Sequence, residues 1–420
     1  MTSAKAQSAS AFETAEYFSS NFLAPINAST AYAAGFTGNG SLIAIIDNGF
    51  LSAHVDLAPN LSLLDTANVE LHGTHVAGIA AGAKNGIGSH GVAYNAGLIL
   101  GTYLGLQDPA SFLTAAENGA TVISNSWGID VDVNAVLAQP NVDADPAAAL
   151  NAVLGSGSAY WQSHLDALDV AQASSVITWA ATNDTAFTDI DVSAGMPLVD
   201  ARLAEAWITV VNVNPGDAVT YTQYGGATIS HSAGELVSGP CGSAMMFCMA
   251  APGVQANSAI STGINDFGVL YGTSMATPMI AGAVAIASEM FPDATPAQLA
   301  QLVLQTSTDI GARGVDDQFG WGFLNLANLT AVADPSAAQT GPMTQALQIS
   351  TLNAFMNVMK TQMGIPGASG SGIEALGFAQ REGSPLEDIF PIREEFTRRA
   401  WLSPMGEYLH VDDGARWNGY

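Results

Sequence analysis

Apolar residues in this chain come in unbroken blocks rather than at every second position. The runs 41–46 (SLIAII), 97–104 (GLILGTYL), 121–127 (TVISNSW), 175–181 (SVITWAA) and 206–213 (AWITVVNV) carry no charge and stop at polar or turn-forming residues. Continuous apolar runs of this length suit strands covered on both faces, the pattern of a parallel sheet. Ala-rich stretches at 72–83, 109–118 and 161–173 lie between them and read as helices. Together they predict an α/β body, a mostly parallel central sheet with helices on both faces. Sites in that architecture form at the carboxyl ends of strands, so residues directly after the apolar runs come first as candidates.

Asp47 closes the first run. A carboxylate there is costly unless it is paired, so it calls for a specific partner. His72 opens the Ala-rich stretch HGTHVAGIAAG (72–82), with His75 one turn later. Two histidines at that spacing can bind a metal, but no acidic ligand stands at the matching position and the pattern H-E-x-x-H is absent, so His75 reads as a packed core histidine. Asn183 follows WAAT, either as a turn residue or as an amide donor to a developing oxyanion. Ser274, in GTSMATP (272–278), stands at the threshold of an uncharged run through Ala287. Pro278 there is expected in the first turn of a helix. Thr273 or Ser274 is then a candidate N-cap, and the helix start is a place where negative charge is favoured.

Length and charge narrow the function. A chain of 420 residues buries a substantial core. Ten Lys+Arg against 37 Asp+Glu give a formal net charge of -27, which repels a phosphate backbone and disfavours nucleic acid as a partner. No segment offers the roughly 20 apolar residues of a membrane-spanning helix, and the first residues lack the apolar core of a signal peptide. Cys241 and Cys248 are the two cysteines. By themselves they are a short disulfide or two buried thiols.

Asp47, His72, Asn183 and Ser274, set in IIDNG, HGTHVAG, AATN and GTSMATP, resemble in order and context the subtilisin-like serine proteases. The resemblance runs from about Glu16 to Val332, and the chain order Asp, His, Ser separates it from chymotrypsin-like and α/β-hydrolase arrangements. It implies that Ser274 is a nucleophile, His72 its general base and acid, and Asp47 the group that orients the imidazole. Asn183 and the Ser274 N–H are then the oxyanion hole. It also implies a substrate-binding strand edge at Ser126, Trp127 and Gly128, a recognition mode in which an extended peptide adds to a sheet. Protein or peptide substrates are the implied partners, at an extracellular or cell-surface location. One departure stands beside Asn183: Thr182 occupies a position where the family has glycine. The rival reading is a surface adhesion or scaffold protein that keeps the fold without turnover.

The chemistry requires no cofactor. The resemblance implies a structural calcium, with Asp56 and Asn85 as side-chain ligands and the carbonyls of Ala83, Ile87 and Ser89 completing an all-oxygen set. PCGSAMMFCMAAPG (240–253) is similar to a two-cysteine hairpin of subtilases that are passengers of Gram-negative autotransporters, which implies a Cys241–Cys248 disulfide. The expected organisation is an N-terminal segment (1–15), a peptidase domain (16–333), and a helix with a flexible linker (334–397). The helix is marked by Ile349, Leu352, Met356, Met359 and Met363, and the linker lies at 364–372. Residues 398–420 resemble the first strand of an autotransporter β-barrel, the one expected connection to an outer membrane.

Overall fold

A computed structural model of the chain describes residues 7–64, 68–102, 109–222, 225–333 and 417–419. The expected helix at 349–363, the linker at 364–372 and most of the barrel-like segment lie outside these residues.

The strands in chain order are β1 (Leu42–Asp47), β2 (Leu61–Leu64), β3 (Gly97–Thr102), β4 (Val122–Asn125), β5 (Trp127–Ile129), β6 (Val176–Ala180), β7 (Trp207–Asn212), β8 (Val219–Thr222), β9 (Thr228–His231), β10 (Cys248–Ala251), β11 (Ala256–Ala259), β12 (Phe267–Leu270) and β13 (Trp417–Gly419). Seven of them form the central sheet in the order β10-β7-β6-β4-β1-β3-β2. Every pairing in it is parallel. The predicted architecture is therefore the observed one. Its strands are buried because helices cover the sheet, which is why the sequence shows apolar blocks instead of alternation.

From β1 the chain goes out to β2 at the sheet edge, comes back to β3 beside β1, and then crosses to β4 on the other side of β1. That reversal opens a crevice at the carboxyl ends of β1 and β4, where Ile46 is in register with Asn125. The run 121–127 is not one strand. It divides at Ser126 into β4 and β5, which leaves the sheet and pairs antiparallel with β13.

Two helices pack at this crevice. The first, Leu71–Ala81, is buried on all sides from Gly73 onward, and its small residues let it lie between sheet and β11. A Cβ at Gly73 would sit 2.4 Å from the Gly49 carbonyl oxygen and 3.0 Å from Asp47 Cβ, so only glycine lets the helix start touch the end of β1. The second, Thr273–Met290, runs beneath β4, β6 and β7 and is buried from Thr273 to Ala287. On the other face the Trp179 and Trp207 rings stack with centroids 5.3 Å apart, and Trp127 meets Trp179 edge-on at 4.6 Å. Cys241 and Cys248 form a disulfide that closes a 3-10 turn at Gly242–Phe247 and leads into β10. Among the described residues no helix is long and apolar enough to cross a membrane.

Candidate active site

Asp47 ends β1 with 1 % of its surface exposed. Its carboxylate accepts from the Asn48 N–H at 2.7 Å and bonds His72 Nδ1 through both oxygens, at 2.9 and 3.1 Å. The partner that a carboxylate at this strand end requires is thus the imidazole. With Nδ1 directed at the carboxylate, Nε2 is the ring's opposite end; it is buried and makes no hydrogen bond.

His75 belongs to another environment. It is fully buried, its Nε2 lies 3.1 Å from the Ala256 carbonyl and 3.0 Å from that of Gly268, and burial lowers its pKa to about 3. It is a neutral core histidine that ties the helix to β11 and β12.

Ser274 lies inside the first turn of its helix, and the N-cap is Gly272 rather than Thr273 or Ser274. No side chain of Gly272 can cap, and Asn183 supplies the bond instead: its Oδ1 accepts from the Thr273 N–H at 2.9 Å and from the Thr273 hydroxyl at 3.2 Å. With the oxygen so held, Nδ2 is the donor end left to Asn183. Gly272 has φ +138, and a Cβ there would sit 3.1 Å from Asn183 Oδ1, so glycine is needed for both backbone and contact.

Pro278 sits in the second turn rather than the first, four residues after Ser274. A proline there has no N–H to give to the Ser274 carbonyl. The Ser126 hydroxyl takes that role, donating to the Ser274 carbonyl at 3.0 Å, while the Ser274 hydroxyl donates to the Ser126 carbonyl at 3.1 Å. Ser126 is the residue between β4 and β5, one position beyond the partner of Ile46. The structure therefore brings Asp47, His72, Ser126, Asn183 and Ser274 to one edge of the sheet.

The remaining sequence candidates divide. The indole of Trp127 is buried, donates to the Ile46 carbonyl at 3.0 Å and packs in the aromatic cluster, so its side chain belongs to the core. What β5 offers to a ligand is its main chain, and β13 already pairs there, with Asn418 opposite Gly128. Asp56 and Asn85 do meet. Asn85 Nδ2 donates to Asp56 Oδ1 at 2.9 Å, and the Asn85 and Gly86 N–H groups both donate to Glu16 Oε1 at 2.9 Å. Asp56 Oδ2 is buried without a partner, and burial pushes the carboxyl up to about 8. Such an oxygen suits a hard cation. Among the described residues no group of three or more His, Cys, Asp or Glu gathers as a metal cluster, so other ligands would have to be amide and carbonyl oxygens.

Asp191 is the residue that sequence reading missed. It is fully buried and bonds the backbone just before Asn183, through a contact that no local motif announces.

Sheet order, crevice and side chains define the subtilisin-like class of α/β proteins. The sequence profile described as the Subtilase family matches residues 38–322, and the chain belongs to that family. Two extracellular serine proteases of Serratia marcescens are 28 % identical over 372 residues and 31 % over 353, covering 75 % and 72 % of this chain. The chain spans only 34 % and 33 % of the length of those relatives. Subtilisin Savinase of Lederbergia lenta is 26 % identical over 311 residues, covering 73 % of this chain and 96 % of its own. Among solved structures, a protease of Pseudoalteromonas arctica superposes with TM-score 0.54 at 21 % identity, over 76 % of this chain and 98 % of that one. Fervidolysin of Fervidobacterium pennivorans gives 0.51 at 21 %, over 73 % and 45 %.

Proposed function

We propose that the chain is a secreted or surface-displayed serine endopeptidase that cleaves proteins through an acyl-enzyme. The observation that carries this reading is the Asp47–His72 bond, which leaves a buried, unpartnered imidazole nitrogen at the strand end beside the Ser126–Ser274 pair.

Each residue then has a task that its surroundings favour. Asp47 holds the imidazole with Nδ1 protonated, which leaves Nε2 basic. Ser274 Oγ attacks the peptide carbonyl carbon as its proton passes to Nε2. Charge on the carbonyl oxygen is met by Asn183 Nδ2 and the Ser274 N–H, aided by the start of an 18-residue helix. Nε2 then gives the proton to the leaving amine, and water repeats the sequence on the ester. The main chain of β5, with Gly128 at its centre, accepts one extended segment in β13, and a substrate peptide would take that segment's place.

The extracellular setting is supported by the Serratia relatives and by the disulfide. A structural calcium held by Asp56 and Asn85, with carbonyl oxygens of the 83–89 loop, would neutralise the buried carboxylate and fix that loop. It takes no part in peptide cleavage. A link to an outer membrane through the segment beginning at 398 belongs to the same reading.

A fluorophosphonate probe tests it. The wild-type protein should label and should hydrolyse casein at mildly alkaline pH, and Ser274→Ala should abolish both. Undiminished labelling of Ser274→Ala, or a folded wild type inert to probe and casein, overturns the assignment in favour of a binding protein.

A further inference from the structure

Thr182, where the family has glycine, is tied at every polar atom it owns. Its N–H donates to Asp191 Oδ2 at 2.8 Å, and its hydroxyl donates to Asp130 Oδ1 at 2.8 Å. The same hydroxyl accepts from the Asp184 N–H at 3.1 Å, and the carbonyl accepts from the Gly239 N–H at 2.9 Å. The peptide unit after Asn183 is therefore held by the Thr182 hydroxyl and the one before it by the Gly239 N–H, while the Asp191 carboxylate holds the Ala181–Thr182 unit that leads into them. Asp191 in turn accepts through Oδ1 from the Ser193 and Ala194 N–H groups at 3.0 and 3.1 Å. This ties the turn after the 184–190 loop to the end of β6.

The arrangement is expensive if it serves stability alone. Thr182 and Asp191 are fully buried, and among the described residues no cation pairs with Asp191. Burial and the nearby Asp130 charge push its carboxyl up to about 7 against the pull of three N–H donors. Replacing a buried charge by an apolar residue of similar size is often neutral or stabilising, so the fold alone does not call for this one. What it secures is the backbone that carries Asn183, whose Oδ1 is meanwhile held from the other side by Thr273. A donor aimed at a transient oxyanion must be placed to a fraction of an ångström.

We propose that Asp191 and Asp130, acting through Thr182, are positioning residues that set the place of Asn183 Nδ2 for peptide cleavage; the inference rests on the serine-peptidase reading above. Asp191 works on the Thr182 N–H and Asp130 on its hydroxyl, and neither touches the substrate. A glycine at this position has no hydroxyl, so the Asp130 and Asp184 bonds are specific to threonine or serine.

The test is steady-state kinetics on a chromogenic peptide with Thr182→Val, Thr182→Ser and Asp191→Asn, each with and without Asn183→Ala. Thr182→Val and Asp191→Asn should lower kcat roughly 10- to 100-fold with KM changed less than about twofold. Thr182→Ser should stay within about threefold of wild type. In the Asn183→Ala background, where there is no donor left to misplace, the same substitutions should change kcat by less than about threefold. Wild-type kcat in both single variants, or losses that multiply with that of Asn183→Ala, overturns the inference. If Asp191→Asn does not fold, the near-isosteric Thr182→Val carries the test. A wild-type protein that neither turns over substrate nor labels at Ser274 overturns the peptidase reading itself, a different result from active wild type with indifferent variants.

Discussion

Ser126 and Ser274 bond to each other twice, each hydroxyl donating to the other's main-chain carbonyl. The pair exists because Pro278 withholds the helical N–H that would otherwise occupy the Ser274 carbonyl. The strand end proposed as a substrate edge and the helix that carries Ser274, the proposed nucleophile, are joined at the carbonyl that Pro278 leaves without its helical bond.

Ser126→Ala removes the hydroxyl that donates to the buried Ser274 carbonyl. We expect a stability loss of about 1–2 kcal/mol in urea unfolding, and a fall of roughly tenfold in kcat because the first turn of the helix is freed to shift. An unchanged kcat at full folding would show that the pair serves packing alone.

Asn183→Ala removes the amide from the helix start. In subtilisin, loss of the corresponding donor costs about 10²- to 10³-fold in turnover, and the same range is expected here with KM little changed. Gly272→Ala should approach it by another route, since the new methyl group meets Asn183 Oδ1 at 3.1 Å on a backbone with φ +138. Kinetics of both variants, with circular dichroism to establish folding, checks the pair.

Acid should destabilise the fold through His164. This residue is buried among Phe112, Tyr160 and Trp161, with centroids 5.6 to 5.9 Å away, and burial lowers its pKa to about 4. Between about pH 6.5 and 4 the unfolded chain therefore binds a proton that the folded chain does not. Stability contributed by this site is present above that window and declines as pH falls through it, by about 3 kcal/mol in all. His164→Phe keeps an aromatic ring in place and removes the linkage. Urea unfolding at pH 7 and pH 4.5 should show the wild type losing about 2–3 kcal/mol more than the variant.

Chelation tests the Asp56 site. With calcium bound, the melting temperature should rise with calcium concentration and fall in EGTA, the stabilisation being about 3 kcal/mol at a hundredfold excess over Kd. Asp56→Asn should melt at the same temperature with and without EGTA. A wild type indifferent to EGTA and to added calcium would remove the ion from the reading.

The central sheet was legible because covered parallel strands must be apolar throughout, and five of its seven members announce themselves as such runs. β2 and β10 were not. β2 is four residues at the sheet edge, and CMAA of β10 is short and marked only by its cysteine. Asp47, His72, Asn183 and Ser274 were legible because each follows or opens a recognisable element. The roles of their neighbours were not, because those depend on contacts across the chain. Trp127 lies on the strand edge expected to meet substrate, yet its indole turns into the core to reach the Ile46 carbonyl. Pro278 looked like a first-turn proline until the helix start was fixed by Gly272. Asp191 lies eight residues beyond Asn183 in a polar loop, and only its burial gives it away.

The sheet order also has a bearing on how the molecule is made. Asp47 and His72 leave the ribosome early, but Ser274 follows twelve of the described strands and reaches the crevice only after β10, β11 and β12 have been synthesised. A chain whose synthesis has not passed β12 thus lacks Ser274, the proposed nucleophile. On the peptidase reading, the order of synthesis holds back the last group of the proposed site until most of the sheet has been made.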